Sequence, residues 1–178
     1  MIGIMSDPIS DLFSDAAATV LDLDQHVFLR GDPVCAVFLL VKGRVDLIRV
    51  SETGTQMSLQ RAGPGDVVAE ASIYSDHYHC DGIVRQPGQM RAVPIERFRT
   101  ALHDDPDLHR IWAARLAMQV QKARVLAEIR GVRRLKDRLD MWLAEGNPLP
   151  EKGRQQDLAA ELGVSREALY RELARRRR

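Results

Sequence analysis

The chain has 178 residues, 45% of them hydrophobic and 29% charged, and a net charge of +1. That composition belongs to a folded globular protein with room for one large domain, or a medium domain plus a small one. It excludes a low-complexity chain, and no apolar run approaches the roughly 20 residues that a membrane span needs.

The opening Met1-Ile2-Gly3-Ile4-Met5-Ser6-Asp7 carries no basic stretch followed by an apolar core, so no export signal is expected. A cytoplasmic protein with no membrane partner follows as the expectation. Cys35 and Cys80 are then expected to be free thiols rather than a disulfide.

In chain order, residues 1–20 predict a short amphipathic helix, with Leu12, Phe13, Ala16 and Val20 on one side. Residues 22–93 predict β-structure. Short apolar runs (26–29, 36–41, 45–50, 56–59, 67–69, 82–84 and 90–93) alternate with turn residues. The separators are Gly31-Asp32-Pro33, Lys42-Gly43, Glu52-Thr53-Gly54, Gly63-Pro64-Gly65-Asp66 and Pro87-Gly88. This spacing points to a small barrel or jelly roll.

Within that region Asp76-His77-Tyr78-His79-Cys80-Asp81 concentrates ligand chemistry. If the segment is extended, alternation sets His77, His79 and Asp81 on one face and Tyr78 and Cys80 on the other. Imidazole, thiolate and carboxylate hold metals, and the soft sulfur favours Cu(I) or Zn(II). Cys35 is a further candidate ligand if the fold brings it near. The competing reading is two loop histidines beside a small buried Cys80.

After Val93 the pattern becomes helical. Pro94–Leu102 predicts a short helix, with proline at a first-turn position. Asp105-Pro106-Asp107 opens a long one, free of Gly and Pro from Leu108 to Ile129. Trp112, Leu116, Val120 and Ala123 form one apolar stripe; Ile111, Met118, Val125 and Ile129 form another. A helix covered on two sides fits a β domain on one and the same helix of a second copy on the other, as in a parallel coiled coil. A single buried core helix is the alternative. Gly131 marks a hinge, since Gly costs a helix about 1 kcal/mol against Ala. Val132–Leu143 predicts a further helix, and Glu145–Pro150 a loop.

The strongest pattern closes the chain. Leu158 and Leu162 sit four apart on one helix face, and the small Ala159 permits close packing. Gly163 supplies a positive φ at the turn. Val164 plugs that turn, and Ser165 N-caps the next helix with a hydroxyl also placed to meet phosphate. Leu169 and Leu173 bury its inner face. Arg166, Glu167, Tyr170 and Arg171 form the outer one. Arg grips guanine O6 and N7, and Glu accepts from cytosine N4. These features predict a helix-turn-helix whose second helix enters the major groove, with Gln156 joining the contact set. The abundance of arginine after Leu108 agrees with a polyanion partner. The competing reading is two packed helices with a solvated charged face.

The order of β-roll, long helix, glycine hinge and helix-turn-helix resembles the CRP/FNR family of bacterial regulators over nearly the whole chain. Val41-Lys42-Gly43-Arg44-Val45 resembles its first β-hairpin. Pro64-Gly65-Asp66-Val67-Val68-Ala69-Glu70 resembles its Gly-Asp-x-x-Gly-Glu stretch, with Ala69 for the second Gly. Ser165-Arg166-Glu167-x-x-x-Arg171 resembles its recognition helix, which implies base contacts from Arg166, Glu167 and Arg171 and a phosphate contact from Ser165. The implied architecture is α+β: a cyclic-nucleotide-binding-like jelly roll over 1–106, a dimerisation helix over 107–130 and a helix-turn-helix domain over 131–178. The implied partners are a second copy, double-stranded DNA with a near-palindromic site, and RNA polymerase.

Glu70 and Asp81 would line the effector pocket. Cys80 and Asp81 stand where cyclic-nucleotide-binding members place an Arg and a Ser or Thr for the phosphate. A carboxylate there repels phosphate, so cAMP is not expected. An N-terminal cysteine cluster for iron–sulfur is absent. Metal, thiol redox, an organic ligand and no effector stay open. The family usually continues into a β-hairpin wing beyond the position of Arg178, so fewer phosphate contacts are expected here. No P-loop, HExxH or Ser/His/Asp pattern supports an enzyme on a cupin-like barrel. A regulator without an effector, or a dimerisation partner that does not bind DNA, is the remaining alternative.

Overall fold

The computed structural model describes residues 7–50, 56–150 and 155–176, without the side chains of Gln56, Met57 and Gln156. The chain divides into two compact units, Met1–Leu116 and Ala117–Arg178.

The first unit is a β-roll. Its strands are β1 (Ala18–Leu21), β2 (His26–Phe28), β3 (Ala36–Val50), β4 (Gln56–Ala62), β5 (Val67–Val68) and β6 (Asp81–Pro94). All pairings are antiparallel. β6 pairs with β1, β2 and β3, and β3 pairs with β4 and β5. Two short helices accompany the sheet, α1 (Pro8–Asp11) and α2 (Ile95–Asp104).

β3 reads as a run of apolar residues because both of its faces are covered. Phe38 and Leu40 join a core with Leu21, Phe28, Tyr78 and Val84. Val37 and Leu39 join a second core with Ile9, Phe13, Phe98 and Trp112. Phe28 stacks on Tyr78 with ring centroids 4.0 Å apart, and the Tyr78 hydroxyl donates to the Ala36 carbonyl at 2.9 Å.

Two expectations for this unit are corrected. The N-terminal helix stops at Asp11, and Ala18–Leu21 is a strand in register with Gly88–Arg91. The β-branched pair Thr19-Val20 favours that extended form once β6 offers backbone partners. Ile9 and Phe13 are fully buried, with Leu12 and Ala16 packed partly buried beside them, while Val20 is 64% exposed.

Lys42-Gly43 and Pro87-Gly88 are not chain reversals either. β3 and β6 each run straight through, and their register slips there. Gly43 holds φ +96°, and a Cβ on it would lie 2.6 Å from the Gln86 carbonyl oxygen; a Cβ on Gly88 would overlap the Lys42 carbonyl. The two glycines permit a bulge where the strands bend across each other. The turn expected at Glu52-Thr53-Gly54 lies outside the described residues.

The long helix α3 (Pro106–Gly131) opens with Asp105 Oδ1 accepting the Asp107 and Leu108 amides at 2.9 and 3.0 Å. Its two apolar stripes separate by position along the helix rather than by face. Ile111 and Trp112, one from each stripe, both join the second core, and Val125 and Ile129 join the core of the other unit. Between them Met118 and Val120 are 55% and 48% exposed.

The second unit packs Ile129 with α4 (Leu135–Ala144), α5 (Gln155–Leu162) and α6 (Arg166–Arg176) around Leu139, Trp142, Leu158, Leu162, Leu169 and Leu173. Among the described residues no helix is long and apolar enough to cross a membrane.

Candidate nucleic-acid interface

α5 and α6 are joined by three residues with a full set of local bonds. The Val164 amide donates to the Ala159 carbonyl at 2.9 Å, and the Gly163 amide to the Ala160 carbonyl at 3.2 Å. With Gly163 at φ +67° this is a Schellman closure of α5. Ser165 Oγ then accepts the Ala168 amide at 3.2 Å, the N-cap expected of it.

α5 is closed a second time, from outside. Arg130 Nε donates to the Glu161 carbonyl at 2.8 Å. Arg138 Nη1 donates to the Leu162 carbonyl at 3.0 Å, and its Nε reaches the Val132 carbonyl at 2.6 Å. Two guanidinium groups at the C-terminal end of α5 also oppose its negative dipole end. The sequence reading assigned arginine abundance to a polyanion partner and missed these internal roles. The rule that basic side chains bind the last carbonyls of a helix was the available signal, but their donors lie 24 to 31 residues away in sequence.

The outer face of α6 carries Arg166, Glu167, Tyr170 and Arg171, all exposed. The Arg166 guanidinium lies 5.3 Å from the Tyr170 ring centre, a cation–π contact that orients it while leaving its donors available. Glu167 is held below the usual carboxylate range by its own backbone amide and by the Ser165 hydroxyl, with Arg166 and Arg171 adding to the effect. It is an ionised acceptor between two cations. Gln156 falls in the first turn of α5, and its side chain lies outside the described residues.

The expected metal ligands are not brought together. Tyr78 and Cys80 lie on the buried side of their segment, and His77 and His79 on the exposed side. The inferred alternation thus holds, and it separates the thiol from the imidazoles. Burial pushes the Cys80 thiol up to about 11, with Asp81 and Glu70 raising it further, so the free group is a protonated thiol near neutral pH. His79 Nδ1 sits 3.4 Å from Ser72 Oγ, and Cys35 is exposed. Among the described residues no three of His, Cys, Asp and Glu are grouped to hold a metal ion.

Of the two expected pocket residues, Asp81 turns to the segment that follows β2, where its Oδ1 accepts the Arg30 amide at 2.7 Å. Glu70 is buried at 7% exposure, and among the described residues its Oε2 has no hydrogen-bond partner. Desolvation raises its carboxyl above the ordinary range, against hydrogen bonds from its own amide and Gln60. Ala69 precedes it in the left-handed region at φ 67°. That conformation favours glycine, the residue the resembled stretch has there.

Residues 19–105 match the family of the cyclic nucleotide-binding domain. The global nitrogen regulator of Synechococcus elongatus is 30% identical over 121 residues, 66% of this chain and 54% of that relative. The chain therefore spans about half the length of that curated relative. Among solved structures, FixK2 from Bradyrhizobium japonicum superposes with a TM-score of 0.76 at 20% identity, covering 90% of this chain and 83% of that one. A transcriptional regulator of the CRP family from Thermus thermophilus gives 0.66 at 18% identity, covering 89% and 84%. The roll over 19–105 thus matches the cyclic nucleotide-binding domain family, on a chain that shares its fold with these solved structures. The resemblance to the CRP/FNR family drawn from the sequence agrees with these likenesses in domain and fold.

Proposed function

We propose that this chain is a homodimeric, DNA-binding transcription regulator of the CRP/FNR type, with α5 and α6 as its helix-turn-helix. The observation that carries the reading is the α5–α6 pair itself. It is closed by a Schellman turn and an N-cap, and it presents exposed Arg166, Glu167 and Arg171 on one face. In this reading α6 enters the major groove, Arg166 and Arg171 address guanine, and Glu167 addresses cytosine.

The dimer seam lies on α3. Ala113, Leu116, Val120, Ala123 and Ala127 recur at alternating spacings of three and four, and all but the half-buried Leu116 are exposed in the protomer. That is the a/d spacing of a two-stranded coiled coil. Two-fold symmetry then calls for a near-palindromic site with half-site centres about 34 Å apart.

The effector, if there is one, is not a cyclic nucleotide. Cys80 and Asp81 stand where the resembled nucleotide-binding members place an Arg and a Ser or Thr for the phosphate; Cys80 is buried and the Asp81 carboxylate accepts the Arg30 amide, so neither supplies positive charge for one. The metal reading finds no support in the placement of His77, His79, Cys80 and Cys35.

Selection of duplexes from a random pool by the full chain tests the proposal. Enrichment of an inverted repeat is expected. Arg166→Ala should then cost about 1–3 kcal/mol on the selected site and little on shuffled DNA. Equal weakening on both would remove the base-reading role of Arg166.

A further inference from the structure

A cleft of about 840 Å³ opens between the start of α4 and one face of α6 from Ala168 to Arg176. Leu135 and Ala168 contribute its apolar lining, and Arg134, Lys136, Arg171 and Arg175 its positive charge. Glu172 supplies an acidic group there and is already matched, because Arg176 Nε lies 3.4 Å from it. Arg176 is further tied to Asp140 at 2.8 Å and to the Lys136 carbonyl at 2.9 Å. It is the brace that holds α6 against α4.

The other four cations have no ion pair among the described residues. Like charges gathered in one concavity repel, and an anion inserted among them is attracted by all of them at once. On α6 the cleft is lined by Ala168, Arg171, Glu172 and Arg175, spaced at three, four and seven residues, so they share one helix face. Arg171 also belongs to the outer recognition face. The cleft therefore continues that face towards the C-terminal end of α6 and adds α4 to it.

We propose that this cleft is a second DNA-binding surface that reads no bases. Arg134, Lys136 and Arg175 take phosphates of the duplex backbone flanking the groove entered by α6. The inference rests on the DNA-binding reading above. Phosphate contacts of this kind fix register and orientation without carrying sequence information.

The test is fluorescence anisotropy of the full chain on a selected duplex and on a shuffled one, from about 50 to 200 mM salt. The variants are Lys136→Ala, Arg175→Ala and the double. Both side chains are exposed where they line the cleft, and melting temperature checks the folding of each variant. Because the dimer carries each cation twice, one substitution removes two phosphate contacts and should lower the slope of log K against log salt by about 1.8, and the double variant by about 3.6. Affinity should fall by the same factor on both duplexes, leaving their ratio unchanged, whereas Arg166→Ala lowers that ratio. An unchanged slope in a folded double variant overturns the cleft and leaves the recognition helix standing. So does a fall confined to the selected duplex, which would mean base reading. A folded wild-type chain that binds no duplex overturns the DNA reading and the cleft together.

Discussion

Glu70 is a carboxyl group in the wrong solvent. Its Oε2 is buried without a hydrogen-bond partner among the described residues, and desolvation raises its proton affinity over the unfolded chain. A group whose folded pKa is raised contributes stability below its unfolded pKa, and that contribution is lost as pH rises through the folded value. Ionised Glu70 is therefore a cost at neutral pH. Glu70→Gln keeps the shape and removes the charge, so it should stabilise the free protein by about 1 kcal/mol or more at pH 7. Below the usual carboxylate range wild type and variant should melt together, and thermal melts at about pH 7 and about pH 3 read both. A variant that melts lower at pH 7 would mean that the buried carboxylate is satisfied after all. The cysteines give a second check at this scale. Cys35 is exposed, while Cys80 is buried and raised to about 11. Alkylation of the native chain at pH 7.5 followed by mass spectrometry should label Cys35 first and Cys80 only on unfolding. Fast labelling of Cys80 would restore it as a candidate thiol sensor.

At the scale of elements, the fold depends on contacts that join distant parts of the chain. Arg138 draws together the Val132 carbonyl and the end of α5 through bonds of 2.6 and 3.0 Å. Hydrogen bonds to charged groups are worth about 1.5–3 kcal/mol, so Arg138→Ala should lower unfolding free energy by about that much in a urea titration. A loss below about 0.5 kcal/mol would show that water replaces the guanidinium at the carbonyls. Such contacts also mark the limit of what the sequence disclosed. α2 to α6 were legible because helix periodicity, caps and the Gly163 turn act within a few residues. β3 and β6 were each divided in two because Gly43 and Gly88 look like local turn residues. Their role depends on each other across 45 positions. The N-terminal helix was overextended for the same reason: Ala18–Leu21 becomes a strand only because β6 lies beside it. Arg166, Glu167, Tyr170 and Arg171 were legible as one face. Arg130, Arg138 and Arg176 looked like more of the same charge until their carbonyl and carboxylate partners placed them inside the fold. His77 and His79 were rightly separated from Cys80 by alternation, but which side was buried depended on the Phe28 and Tyr78 rings packed beneath.

At the scale of the whole molecule, the proposed dimer turns on what covers the middle of α3. Val120 is 48% exposed in the protomer, and Met118 is 55% exposed on the opposite side of the helix. Val120 stands at the centre of the seam formed by Ala113, Leu116, Ala123 and Ala127. The small alanines allow two helices to approach closely about a two-fold axis there, which places Val120 against its own copy. Val120→Glu would set two carboxylates against each other at that point while disturbing little inside one protomer. Sedimentation velocity should therefore report half the mass of the wild type, with unchanged helicity and melting of the isolated protomer. A monomer presents one recognition helix, so affinity for an inverted repeat should fall more than tenfold, at least 1.4 kcal/mol, while a single half-site loses little. Met118→Glu, on the other side of the helix, should leave both mass and affinity unchanged. If instead Met118→Glu dissociates the dimer and Val120→Glu does not, the second copy approaches from the face shared with Val125. The spacing between recognition helices would then follow from that side of α3.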